Sequence, residues 1–232
     1  MSIKALHRTT GLVLIVESLL LFVPVFILGG AINWPASLSE PASFMLPLLI
    51  QQAEPVRIGY LIYLIYSLLF WVVALFTARV ISNGETNSVW LQVATGFGIA
   101  STVTRCLGII RWLVAMPALA QVYTDSSTSA QTRQAIAVVY KTLNDYAGSV
   151  GEVLGVSLFT VLWLTIISIY LLRSKTLPRW LGMFGIIAAL FLATQLLELF
   201  GVDLGAFISV SVTILQLWFL VTGVTLLRHK SV

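Results

Sequence analysis

Runs of about 20 apolar residues, each long enough to cross a bilayer as a helix, recur along the whole of this 232-residue chain. In hydrocarbon every backbone N–H and C=O must find a partner inside the protein, so runs of this length fold as transmembrane helices. Hydrophobic residues make up 59% of the chain and charged residues 9%, so no soluble domain is expected beside them. Apolar windows and their breakers predict six spans, at 10–32, 57–81, 89–117, 146–172, 180–201 and 206–227. The expected fold is all-α: one polytopic membrane domain over 1–232, a bundle of six transmembrane helices. Lys4 and Arg8 before the first run also fit a signal peptide, with Gly29, Gly30 and Ala31 as small residues for cleavage. The run at 11–32 exceeds the usual h-region of about 7–15 residues, so a retained first helix is expected and cleavage is the alternative.

The net charge of +4 matters less than its distribution. Lys4, Arg8, Arg79, Arg173, Lys175, Arg179, Arg228 and Lys230 fall on one side of the predicted membrane, and Arg57, Arg133 and Lys141 on the other. By the positive-inside rule both termini are cytoplasmic, as are the links at 82–88 and 174–178. Glu40, Glu54, Asp125, Asp145 and Asp203 lie on the outer side and Glu85 on the inner. A basic excess spread in this way marks membrane orientation, and no nucleic-acid partner is expected.

Two outer connections are longer than turns. The first, 33–56, carries Pro35, Pro41, Pro47 and Pro55, yet 44–50 is too apolar for water, so it is expected to lie on the membrane or fold into the mouth of the bundle. In the second, Ile136, Val139, Tyr140 and Leu143 recur at helical spacing behind Thr128 and Gln131, which have capping-box spacing. This predicts an amphipathic outer helix at 129–143, either at the interface or extending the fourth span. Trp34, Trp90, Trp112, Tyr123, Tyr146 and Trp180 sit near span ends, where interfacial aromatics belong. No sustained internal repeat is apparent.

Five ionisable side chains interrupt the spans: Glu17, Arg105, Arg111, Glu152 and Glu198. A charge at a helix centre costs of order 3 kcal/mol on insertion scales, so each must face protein, water or another charge. At about 1.5 Å per residue, Arg111, Glu152 and Glu198 come within ~5–10 Å of the outer interface, and Arg105 and Glu17 both lie about 18 Å deep. Two layers follow: a deep ion pair of Glu17 with Arg105, and an outer cluster of Arg111, Glu152 and Glu198. Three carboxylates against two guanidinium groups require at least one carboxylate to be protonated or open to water. Helical phase adds Gln195 beside Glu198 and puts Gln216 on a polar stripe of the sixth span. Gly98, Ser101, Thr102, Arg105, Gly108 and Trp112 share a stripe of the third, and Tyr60, Tyr63 and Ser67 one of the second. Ala147, Gly151 and Gly155 have the spacing that lets helix backbones pack closely, and Pro24 predicts a kink in the first helix.

Several chemistries are excluded on composition. The histidines, His7 and His229, stand at the cytoplasmic ends, which rules out a bis-histidine haem, a His-Glu-x-x-His zinc protease and a rhomboid-type serine–histidine pair. Asp203 has no second membrane aspartate for an aspartyl dyad, and no span contains a lysine for a retinal Schiff base. Cys106 is the sole cysteine, so no internal disulfide forms. No cofactor or metal is expected, and nothing points to an enzyme.

The chain resembles a family of uncharacterised bacterial six-helix integral membrane proteins classed as a domain of unknown function. The resemblance rests on Arg8-Thr9-Thr10-Gly11 opening the first helix, on Gly148 and Gly151-Glu152-Val153-Leu154-Gly155, and on Leu177-Pro178-Arg179-Trp180-Leu181-Gly182 entering the fifth. It implies a six-span fold in a bacterial plasma membrane, and no activity. The residues themselves lead to binding or transport of a small anionic or zwitterionic solute, a proton or a lipid headgroup, through Arg111, Glu152, Gln195, Glu198 and Gln216 in a cavity open to the outer face. The alternative is a non-catalytic accessory subunit packing through its glycine faces on a membrane-protein partner or a second copy. Membrane lipids are partners in either case.

Overall fold

The computed structural model describes residues 2–82, 88–174, 177–202, 204–205 and 207–228. Glu85, Lys175, Asp203, His229 and Lys230, which enter the reading above, lie outside the described residues. Six rods are long and apolar enough to cross a membrane: Ile3–Ile32, Ala53–Ile81, Val89–Thr124, Ala130–Arg173, Arg179–Phe200 and Phe207–Arg228. No strand occurs among the described residues, and the chain is a six-helix membrane bundle.

Local chemistry sets where the rods start and break. The first divides into α1 (Ile3–Leu20) and α2 (Phe22–Ile32), and Ser2 caps α1 by accepting the Ala5 N–H. The break falls at Leu21 because Pro24 has no N–H for the Leu20 carbonyl and its ring crowds that group. In the third rod Pro117 does the same to the Leu113 carbonyl, so α5 (Val89–Leu113) ends there and α6 (Ala115–Thr124) restarts beyond Val114. Ser88 caps α5. α7 (Ala130–Ser149) starts from Ser129, whose hydroxyl accepts the Thr132 N–H at 3.1 Å; the expected cap, Thr128, instead donates to the Val122 carbonyl at 2.7 Å and ties the turn to α6.

α7 runs without a gap into a π-helical stretch, Val150–Phe159, and then α8 (Thr160–Arg173). The amphipathic helix therefore extends the fourth span: 44 residues reach about 66 Å, twice a bilayer core. α4 (Ala53–Ile81), α9 (Arg179–Ala193, followed by the 3-10 turns Thr194–Phe200) and α10 (Phe207–Arg228) complete the set. In contact order α1, α4, α5, α8, α9 and α10 close into a ring, with α10 back against α1. One end of the ring carries Ile3 and Arg228, the first and last helical residues described; the other, the loop end, carries both long connections.

Segment 44–50 belongs to the short helix α3 (Ala42–Gln51), which folds into the mouth of the bundle against α6 with Met45, Leu46 and Leu49 buried. It joins an apolar cluster at the loop end that includes Leu28, Tyr60, Trp112, Met116 and Tyr140. A second cluster fills the terminal half around Phe70, Trp163, Trp218 and Phe219. Buried polar side chains gather at the join between the two: Glu17 and Ser18 on α1, Ser67 on α4, Ser101 and Arg105 on α5, Ser157 and Thr160 where the π-helical stretch passes into α8, and Gln216 on α10. Trp112 is core rather than interfacial, 2% exposed and stacked on Tyr60 at 5.3 Å, whereas Trp90 and Tyr146 are exposed as interfacial aromatics are.

Candidate functional site

The π-helical stretch is what builds the site. Its glycines lie directly on α5: a Cβ at Gly108 would come 2.7 Å from the Gly151 Cα, and one at Gly155 would come 2.9 Å from the Arg105 Cγ. Any side chain at these positions would push the two helices apart. A widened helix leaves carbonyls poorly served, and the hydroxyls of Ser101 and Thr160 reach one of them. Ser101 donates to the Gly155 carbonyl at 2.7 Å, and Thr160 to the same carbonyl at 3.0 Å. Thr160 in turn accepts from Arg105 Nη2 at 2.8 Å.

Arg105 is 3% exposed, and its guanidinium lies 4.3 Å from the centre of the Phe70 ring. Its Nε and Nη1 have no hydrogen-bond partner. Arg111, 6% exposed, donates from Nη1 to the Gly108 carbonyl at 2.9 Å, packs on Trp112 and leaves Nε without a partner. Its Nη2 lies 3.9 Å from Glu152 Oε1, and the Glu152 side chain is 49% exposed. Glu152 is thus a carboxylate that the protein does not enclose.

Arg105, Arg111 and Glu152 line one cavity with about 30 Å³ of free space, against the roughly 10–15 Å³ that a single water requires. Tyr60, Tyr63 and Ser67 of α4 form its opposite wall, and Trp34 and Leu38 of the first connection cover it. The Tyr60 and Ser67 hydroxyls are also without partners. Two guanidinium groups face one partly open carboxylate, so the cavity is electropositive.

The other expected site residues fall elsewhere. Gln195 lies between Ser157, which donates to its Oε1 at 2.7 Å, and Ser211, which accepts from its Nε2. Gln216 donates to the Tyr66 hydroxyl at 2.8 Å. Neither lines the cavity; both tie helices together. Glu198, on the 3-10 turns, also stays outside the lining, near enough to Glu152 for their charges to interact. Glu17 and Arg105 share a layer, but they are not in ion-pair contact: Arg105 turns to Thr160 and Phe70, and both Glu17 carboxyl oxygens lack a hydrogen-bond partner. No direct contact joins the two, because the Gly155 contact and the Thr160 hydroxyl draw the guanidinium toward the fourth rod. Tyr60, Tyr63 and Ser67 carried a signal, their shared stripe; Trp34 and Leu38 carried none, since a connection folding back over the site has no periodicity to read.

Fold and cavity together define a polytopic helical membrane protein with a small, basic, partly open polar site. The chain belongs to the family described as a domain of unknown function, DUF4386, whose match covers residues 9–227. No curated protein and no solved structure matches it.

Proposed function

We propose that this protein binds the anionic head of a small solute or lipid in the cavity between Arg105, Arg111 and Glu152. The site is reached from the loop end, in a bacterial plasma membrane with both termini cytoplasmic. One observation carries the reading: five buried polar groups without partners, Arg105 Nε and Nη1, Arg111 Nε, Tyr60 OH and Ser67 Oγ, all belong to residues that line one cavity. Buried donors are normally satisfied, and a cluster left open around a cavity suits a carboxylate or phosphate, which guanidinium groups bind through paired charge-assisted hydrogen bonds. Glu152 at the rim suits the cationic part of a zwitterion.

Two sources share this chemistry. A free anion of a few atoms fits the cavity with little movement. For a lipid, a second cavity of about 510 Å³ shares Trp112 with the first; Leu49, Val56, Leu113 and Pro117 wall it beside the polar Glu54, Arg57 and Gln121, which suits a lipid with part of its polar head there. A purely structural role through glycine faces has less support, because Gly11, Gly108, Gly151, Gly155, Gly182 and Gly223 are all taken up inside the bundle.

The test is saturable stabilisation of the purified protein. One arm titrates acetate and inorganic phosphate in detergent; the other adds a short-chain phosphatidic acid to protein in zwitterionic nanodiscs. Binding in either arm, weakened about tenfold or more by Arg111→Gln, supports the site and names the source. A folded protein that responds saturably to none of these probes sinks the proposal.

A further inference from the structure

The larger cavity, of about 510 Å³, is a groove with the start of α4 on one side and the end of α5 with α6 on the other, and Leu49 and Ile50 of α3 also line it. Its volume falls in the range of ligand sites, roughly 300–1,000 Å³. Both walls carry the same gradient. On α4, Glu54 and Arg57 stand at the end nearest the loops. On the other wall Gln121 is nearest the loop end, and Pro117, Leu113 and Trp112 follow it inward. Beyond Arg57 the same stripe of α4 continues with Ile58, Leu61 and Ile65, all exposed and all apolar.

Glu54 and Arg57 are exposed and one helical turn apart, a rise of about 4.5 Å. That spacing lets a carboxylate and a guanidinium pair along a helix. Here they do not: among the described residues Arg111 with Glu152 and Lys141 with Asp145 make ion pairs, and Glu54 and Arg57 make none. Both charges are left for an occupant of the groove.

The order of the charges selects that occupant. From the hydrocarbon outward, a phospholipid with an ethanolamine head presents its acyl chains, then a phosphate, then a primary ammonium. From the bundle toward the loop end, α4 presents Ile65, Leu61 and Ile58, then Arg57, then Glu54. A guanidinium binds phosphate through paired charge-assisted hydrogen bonds, and a carboxylate accepts from an ammonium N–H. A purely anionic head would set negative charge against Glu54, and a choline head has no N–H to donate to it.

We propose that this groove holds one phospholipid with a primary ammonium head, its phosphate on Arg57, its ammonium on Glu54 and an acyl chain along the exposed face of α4. The proposal goes beyond the anion-binding reading and does not depend on it: Trp112 is the one lining residue common to the two cavities, and Arg105 and Arg111 do not line the groove.

The test is native mass spectrometry of the purified full chain in detergent, titrated with phosphatidylethanolamine, phosphatidylcholine and phosphatidic acid of identical chains. One phosphatidylethanolamine is expected to bind per chain, about fivefold more tightly than phosphatidylcholine, a ratio suited to a partly exposed charge pair. Glu54→Ala is expected to abolish that preference, and Arg57→Gln to weaken both lipids alike by about fivefold. Both side chains are exposed, so neither change removes a core contact. Equal binding of the two lipids by the wild type, or a preference that survives Glu54→Ala, overturns the proposal. Phosphatidic acid bound more tightly than phosphatidylethanolamine, and lost in Arg57→Gln, overturns the ammonium and gives the groove to an anionic head. Free phosphoethanolamine bound as tightly as the lipid overturns the lipid in favour of a soluble zwitterion. Stabilisation of the same two variants by inorganic phosphate reads the anion cavity separately, since neither residue lines it, so either site can fail while the other stands.

Discussion

Arg111 and Glu152 face each other across the glycine-lined seam where α5 meets the π-helical stretch, Nη2 to Oε1 at 3.9 Å, beside the point where Gly108 touches Gly151. The distance is long for a hydrogen bond, so this is a through-space ion pair rather than a clamp. Arg111 is held chiefly by the Gly108 carbonyl and the Trp112 ring. The Glu152 side chain is left 49% exposed.

That asymmetry has a measurable consequence. Glu152→Gln is expected to cost at most about 1 kcal/mol, because a half-exposed pair at this distance is screened. Arg111→Gln, which abandons a buried charge-assisted hydrogen bond, is expected to cost about 1.5–3 kcal/mol. Thermal unfolding of the two purified variants reads the difference; a larger loss at Glu152 than at Arg111 contradicts the assignment.

The packing of the seam is tested by adding methyl groups. A Cβ at Gly155 would lie 2.8 Å from Thr104 Oγ1 and 2.9 Å from the Arg105 stem, so Gly155→Val is expected to lose about 1–3 kcal/mol and to weaken any binding that uses Arg105. Gly96, on the same helix α5, has nothing within 4 Å of the equivalent position. Gly96→Ala is therefore expected to be neutral or to gain up to about 1 kcal/mol from helix propensity. Equal stability of the two variants would refute the close approach of α5 and the fourth rod.

Ser157 and Gln195 form a buried pair that holds the fourth rod to the end of α9. Ser157→Ala strands the Gln195 Oε1 and is expected to cost about 1–3 kcal/mol. Adding Gln195→Leu to that variant should cost less than Gln195→Leu costs alone, the sign of direct coupling in a double-mutant cycle. Strictly additive losses would separate the two residues.

Orientation rests on the sequence expectation of eight basic residues on the side of the termini against three on the other. In a Cys106→Ser background, cysteines at Ser43 and Ser127, both exposed at the loop end, should react with an impermeant thiol reagent in intact cells. A cysteine at Lys4 should react only after the membrane is opened. The opposite pattern reverses the orientation and moves the cavity to the cytoplasmic side.

The six apolar helices are legible in the chain because hydrocarbon leaves the backbone one choice, and a run of about 20 apolar residues declares it without reference to any neighbour. Breaks are nearly as local: Pro24 and Pro117 each mark one, since a missing N–H acts on the carbonyl four residues before it. The identity of the buried charges is equally plain in the sequence, because each interrupts an otherwise apolar run. Their partners are not. Glu17 and Arg105 lie at matched depth, yet the guanidinium turns to Thr160, because the widened fourth rod brings Gly155 against its stem and a hydroxyl against its Nη2. A π-helical stretch has no periodicity of its own that a 3.6-residue reading can detect, and it rotates every side chain after it. The same holds for Trp34 and Leu38, which cover the cavity only because the proline-rich connection folds back over the loop end. Depth and residue type belong to the one-dimensional chain; which donor meets which acceptor is decided by how closely two backbones approach, and in this protein the glycines of the fourth rod set that distance.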